Sequence, residues 1–260
     1  MNIVVCVKQV PDTNEVRIDP VKGTLIREGV PSIMNPDDKA GLEAALRIKD
    51  KTGAKVSVIT MGPLQAEEIL REALAMGADD VYLVTDRAFG GADTWATSST
   101  LAGAISKLDY DLIITGRQAI DGDTAQVGPE TAEHLDLPNI SYAQEIEVDG
   151  DEVVVLRQYD DRSHRVRAKL PVLVTALSEL NKPRYMTPGG IFDAYREKEV
   201  VQWVREDIPV EDENIGLSGS PTRVSKSFPK AVKEPGMKIE EGVEESVQFI
   251  VDKLKETYIL

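Results

Sequence analysis

Residues 111–135 read DLIITGRQAIDGDTAQVGPETAEHL: an apolar run, then a stretch of small, acidic and amide residues, then a segment with helical character. DLIIT has the β-branched, uninterrupted apolarity of a strand covered on both faces. The small and acidic stretch behind it sits where open α/β sheets bind ligands, outside the carboxyl end of a strand and ahead of a helix N-terminus. Gly122 and Gly128 permit close backbone approach, Asp123 or Thr124 can cap, and the first N–H groups of the next helix are free to take a phosphate. The stretch reads as a phosphate cradle. An elaborate helix cap is the other reading of the same residues. Asp121 and Asp123 would repel an anion, so at least one must turn toward a ribose hydroxyl or a backbone N–H.

Working outward, residues 2–7 (NIVVCV), 55–60 (KVSVIT) and 80–84 (DVYLV) repeat the strand pattern. Helical patterns alternate with them. Residues 37–52 space Leu42, Ala45, Leu46 and Lys49 at helical intervals, with Asn35 as N-cap, Pro36 in the first turn and Gly53 as the stop. Residues 63–76 carry Ile69, Leu70, Ala73 and Leu74 on one face, and 93–108 carry Trp95, Leu101, Ala102, Ile105 and Leu108. This order predicts an α/β fold: a Rossmann-like parallel sheet with helices on both faces. Residues 15–29 (EVRIDPVKGTLIREG) predict a hairpin inserted after the first strand, and 140–148, 152–158 and 172–177 predict further strands. Beyond residue 183 the apolar periodicity fades into a polar arm that ends in an amphipathic helix, its stripe formed by Val243, Val247, Ile250, Val251 and Leu254. That stripe is expected to dock, on a partner subunit or on its own domain. The expected division is 1–183 for the nucleotide-binding domain, 184–236 for a recognition loop and arm, and 237–260 for the docking helix.

The totals narrow the function. A formal charge of −15 argues against nucleic acid or an anionic membrane as partner, since both demand a positive footprint. The 260-residue chain has one cysteine, so there is no internal disulfide framework, and a cytoplasmic setting is expected. His134 and His164 stand apart without companion cysteines, which argues against a metal site. No spacing argues for nucleophilic catalysis. Residues 162–167 (RSHRVR) alternate as a strand would; they read as a solvated sheet face or as a contact to a phosphate or subunit. Neither G-x-G-x-x-G nor a P-loop is present, so nucleotide must be held in another way. Asn35-Pro36-Asp37-Asp38 and Thr60-Met61-Gly62-Pro63 supply candidate walls for an adenine and ribose pocket.

Five segments together are specific: VCVKQVPD (5–12), SIMNPDDKAGLEAAL (32–46), ALAMGADDVYLV (73–84), GRQAIDGDTAQVGPE (116–130) and LPVLVTALSELNKPRYM (170–186). Across essentially its whole length the sequence resembles the β subunits of electron transfer flavoproteins. The resemblance implies a heterodimer with an α subunit and a nucleotide at the loop described above. That nucleotide is AMP in members serving respiratory dehydrogenases and FAD in electron-bifurcating members. The AMP-type pattern D-D-D-x-N-Q-x-G-Q is replaced here by Asp121-Gly122-Asp123-Thr124-Ala125-Gln126-Val127-Gly128-Pro129, with smaller residues at Gly122 and Ala125. RYMTPGGIFDAYREKEV (184–200) likewise resembles the bifurcating group. Membership there implies NADH as donor and, as acceptors, a ferredoxin or flavodoxin and an acyl-CoA dehydrogenase reached through the α-subunit FAD. The implied nucleotide ligands are Asn35, Asp38 and Asp121 through Gly128, with Cys6 and Met61 lining the pocket from their strand ends. Residues 185–194 would form a docking loop for the dehydrogenase, softened by Gly189 and Gly190, with Tyr185, Met186, Ile191 and Phe192 as anchors. An AMP-binding electron carrier and a universal-stress-type nucleotide module are the rival readings.

Overall fold

A computed structural model describes residues 1–12, 31–225, 236–240 and 242–259. In chain order it contains β1 (Asn2–Cys6), β2 (Gln9–Pro11), β3 (Ser32–Met34), α1 (Pro36–Thr52), β4 (Lys55–Met61), α2 (Glu67–Met76), β5 (Asp80–Val84), α3 (Thr94–Ile105) and β6 (Leu112–Gly116). The chain continues with α4 (Val127–His134), β7 (Asn139–Asp149), β8 (Glu152–Gln158), β9 (Ser163–Lys169), β10 (Val172–Ala176), α5 (Pro188–Arg196), β11 (Val200–Trp203) and α6 (Val243–Glu256). The main sheet has nine strands in the order β11-β5-β4-β1-β6-β10-β7-β8-β9. Pairing is parallel from β11 to β7 and antiparallel from β7 to β9.

The alternation along β1 sorts the core into two layers. Ile3 and Val5 join Leu42, Leu46, Ile69, Leu70 and Leu74 of α1 and α2 on one face. Val4 and Cys6 meet Leu101, Ala104, Ile105 and Ala132 of α3 and α4 on the other. Leu112, Ile113 and Ile114 of β6 are fully buried, and each such side chain contributes about 1.5–3 kcal/mol through burial. The predicted doubly covered parallel sheet is the observed one.

The predicted hairpin of residues 15–29 lies outside the described residues. Flanking it, β2 and β3 form a separate antiparallel ladder, Gln9 opposite Met34 and Pro11 opposite Ser32. The chain after residue 183 differs from an arm. Residues 185–194 are not a loop softened by glycine, because α5 starts at Pro188 with the Thr187 hydroxyl accepting from the Gly190 amide, a regular N-cap. A Cβ on Gly190 would collide with the Ala75 carbonyl oxygen, so this glycine lets α5 press against α2. Gly189 faces open space. Next, β11 extends the sheet by pairing with β5, and Ile208 and Ile215 enter the second core layer. The compact unit consists of residues 1–17 and 25–225. Its short apolar contributions after residue 183 were hidden by the polar residues around them. A second unit comprises residues 18–24 and 226–260 and contains α6. Val243, Val247 and Ile250 of that helix are exposed, while Val251 and Leu254 are half-buried.

Candidate functional site

The first strand decides where a ligand can enter. From β1 the chain builds outward through β4 and β5, then returns to place β6 on the other flank of β1. Connections thus diverge between the carboxyl ends of β1 and β6, the place in an open α/β sheet where a crevice forms.

Residues at the start of α1 organise this edge. Asn35 occupies the N-cap position but makes no capping hydrogen bond. Its amide turns to the β6 loop instead, with Nδ2 donating to the Gln118 carbonyl at 2.8 Å and Oδ1 accepting from the Ile120 amide at 3.1 Å. Asp38 accepts from the Lys8 amide at 2.8 Å through Oδ2 and from the Gly116 amide at 3.0 Å through Oδ1. One buried carboxylate thus ties the ends of β1 and β6 together. Burial pushes its pKa up to about 7 against the pull of Asn35 and the two amides. Asp37 accepts from the Ser178 amide at 3.0 Å, and Arg117 Nε lies 3.3 Å from its other oxygen. Burial raises Asp37 as well, with Arg117 opposing. Asp38 therefore engages both oxygens with the scaffold, at the edge where the sequence expects a wall of the nucleotide pocket.

The loop between Gly116 and α4 is held at its flanks and open at its tip. The Gly122 and Asp123 amides both donate to the Ala119 carbonyl, at 3.1 and 2.9 Å. Asp123 and Ala125 have φ of 50° and 53°, and Gln126 then returns to the right-handed region. Such alternation turns consecutive N–H groups to one side, forming a nest for anions. From Thr124 to Gly128 no amide N–H donates to an acceptor among the described residues. These five amides run directly into the N-terminus of α4. Asp121 does not oppose an anion unaided: Lys8 Nζ contacts its two oxygens at 2.7 and 3.0 Å. Asp123 accepts from Gln118 Nε2 at 2.9 Å, and the Gln126 side chain accepts from the Thr94 hydroxyl at 3.2 Å.

The two loop glycines serve different ends. A Cβ at Gly122 would meet nothing within 4 Å. At Gly128 it would lie 2.5 Å from Thr115 Oγ1 and 3.0 Å from Thr175 Cγ2, so this glycine seats α4 on β6 and β10.

Asn35 and Asp121 through Gly128 therefore converge at one edge. Cys6 lies at the end of β1 beneath α3 and α4; burial pushes its thiol up to about 12, so it is a packing group. Met61 ends β4 and packs, half-buried, against that same layer. Tyr185, Met186, Ile191 and Phe192 are all exposed, the last two on α5. The basic run forms β9, where Arg165 pairs with Glu145 and Arg167 with Asp149 and Glu152. At about 4.8 Å per strand, four strand spacings put β9 roughly 19 Å from β6, beyond side-chain reach of the crevice. Lys8, Gln118 and Thr94 escaped the sequence reading. For Lys8 the available signal was a single cation two residues past the central strand. Among the described residues no group of three or more His, Cys, Asp or Glu could hold a metal ion, and no helix is long and apolar enough to cross a membrane.

Residues 22–207 match the electron transfer flavoprotein domain. The electron transfer flavoprotein subunit beta of Clostridium acetobutylicum is 60% identical over 260 residues, covering all of both chains. The chain belongs to the electron transfer flavoprotein family, as a β subunit. A β subunit from Thermoanaerobacterium thermosaccharolyticum is 54% identical, again over the full length of both chains. So is CarD of the caffeyl-CoA reductase-Etf complex of Acetobacterium woodii, 54% identical with full coverage of each. Membership as a β subunit entails an α-subunit partner and a role in electron transport, and it removes the universal-stress reading.

Proposed function

We propose that this β subunit holds FAD in the crevice between β1 and β6, and with its α subunit takes electrons from NADH in the cytoplasm. One electron of each pair would go to a ferredoxin or flavodoxin. The other would go through the α-subunit FAD to an acyl-CoA dehydrogenase. The carrying observation is the run of five amides, Thr124 to Gly128, that have no acceptor among the described residues at the mouth of a helix. Such a run suits a phosphate or diphosphate. Bound flavin would supply the hydride and single-electron chemistry. The residues here bind and orient: the loop amides take phosphate, Asn35 fixes the loop's register, and Gly122 leaves its flank open to a group larger than a single phosphate.

The relative named for a caffeyl-CoA reductase complex supports acceptors of the acyl-CoA kind. Tyr185, Met186, Ile191 and Phe192 are suited to anchor such a dehydrogenase, because apolar side chains held on or beside a helix clamped to α2 lose little entropy on docking. The apolar stripe of α6 is suited to the α subunit. Acid release of nucleotides from the co-purified heterodimer tests the reading. Two FAD per heterodimer is the expected result, with bleaching of flavin absorbance by NADH; one FAD and one AMP would replace it with the AMP-binding carrier.

A further inference from the structure

Lys8 is held at three points. Its amide donates to Asp38 Oδ2 at 2.8 Å, its carbonyl accepts from the Asn35 amide at 2.9 Å, and its ammonium spans both oxygens of Asp121 at 2.7 and 3.0 Å. The backbone is thus fixed to α1 while the side chain reaches across the β1–β6 crevice to the loop. Asp121 is the less exposed partner, its side chain 10% accessible against 47% for Lys8. A mostly buried carboxylate three residues ahead of the open amides sets a negative field where those amides invite an anion. In a partly desolvated site that field is strong unless a cation cancels it.

We infer that Lys8 is a positioning residue that makes the loop competent for phosphate by cancelling the charge of Asp121. The inference deepens the proposed function and rests on its reading of the loop as a phosphate site. Lys8 need not touch the phosphate. Its action is to silence a neighbour, so removing that neighbour's charge should make Lys8 largely dispensable.

Calorimetric titration of the heterodimer, stripped of nucleotide at this site, with AMP, ADP and adenosine reads this directly. The wild type should bind AMP and ADP more tightly than adenosine; if it does not, the phosphate reading falls, and this inference falls with it. Because Asp121 is only 10% accessible while Lys8 is half-exposed, the loss falls between that of an exposed and a buried pair, and Lys8→Met should weaken AMP by about tenfold while changing adenosine by less than about twofold. Lys8→Met combined with Asp121→Asn should return AMP to within about threefold of wild type, and Lys8→Arg should stay close to wild type. Equal weakening of AMP and adenosine by Lys8→Met, or no recovery in the double variant, would overturn the inference and leave Lys8 a structural tie. Thermal melting of each variant heterodimer identifies any that fails to fold, in which case the double variant and Lys8→Arg carry the comparison.

Discussion

Asp38 illustrates how much one buried carboxylate can organise, and its protonation has a measurable sign. The folded chain raises this group to about 7 through burial, well above the ordinary value near 3.9. Between about pH 4 and pH 7 the folded state therefore holds a proton that the unfolded state has released. Stability from this group is fully present below about pH 4 and is lost as pH rises through 7. Urea unfolding at pH 5 and pH 8 should show the wild type losing stability over that interval, and Asp38→Asn should flatten the loss. Some slope should remain, because burial raises Asp37 in the same direction. An unaltered slope in the variant would assign the proton elsewhere. The sequence showed Asn35 and Asp38 as helix-start residues, which is the role their type and spacing favour. Their actual partners, Gly116, Gln118 and Ile120, stand far along the chain, and no local pattern encodes such a pairing.

The elements were legible wherever period and burial agreed. The four parallel strands β1, β4, β5 and β6 and helix α1 were all read within a residue or two, since each carries a long apolar signature. The antiparallel β9, whose polar alternation left a solvated face as one reading, is such a face, laced with ion pairs. Glycine was the ambiguous letter. Two glycines in α5 suggested softness, yet one is a contact point between helices. The same distinction yields a paired prediction in the nucleotide loop. Gly128→Ala forces α4 off Thr115 and Thr175, and overpacking of this kind costs about 1–3 kcal/mol. Gly122→Ala enters open space at a position without positive φ, so its stability should stay within about 0.5 kcal/mol of wild type. Chemical denaturation of the two variants side by side checks the contrast. Equal stability would mean that α4 has room to retreat.

At the scale of the whole molecule, the boundary at residue 183 matters most. Residues 184–222 return repeatedly to the sheet unit. Arg184 binds buried Glu43 through its backbone and side chain, Trp203 stacks on Tyr82 at 4.6 Å, and the Thr222 amide and hydroxyl donate to Asp93, the cap of α3. A chain ended after Pro183 would uncover the β5 edge and the apolar seats of Ala194, Ile208 and Ile215. One ended after Ser225 would keep them all. Far-UV circular dichroism with thermal melting should give a cooperative transition for the longer truncation and aggregation or a broad, early transition for the shorter. Cooperative melting of the shorter chain would show that the late segments decorate the fold rather than complete it.

At the far end of the sheet, β9 has no neighbour beyond it among the described residues and so presents unused amide and carbonyl groups along one side. Such a border invites recruitment of foreign strands into growing fibrils. Here the strand carries Arg165, Arg167 and Lys169, and a pairing copy would have to disturb the ion pairs that Arg165 and Arg167 make with Glu145, Asp149 and Glu152. The sheet can thus stay open at that end without becoming a template for its own polymerisation.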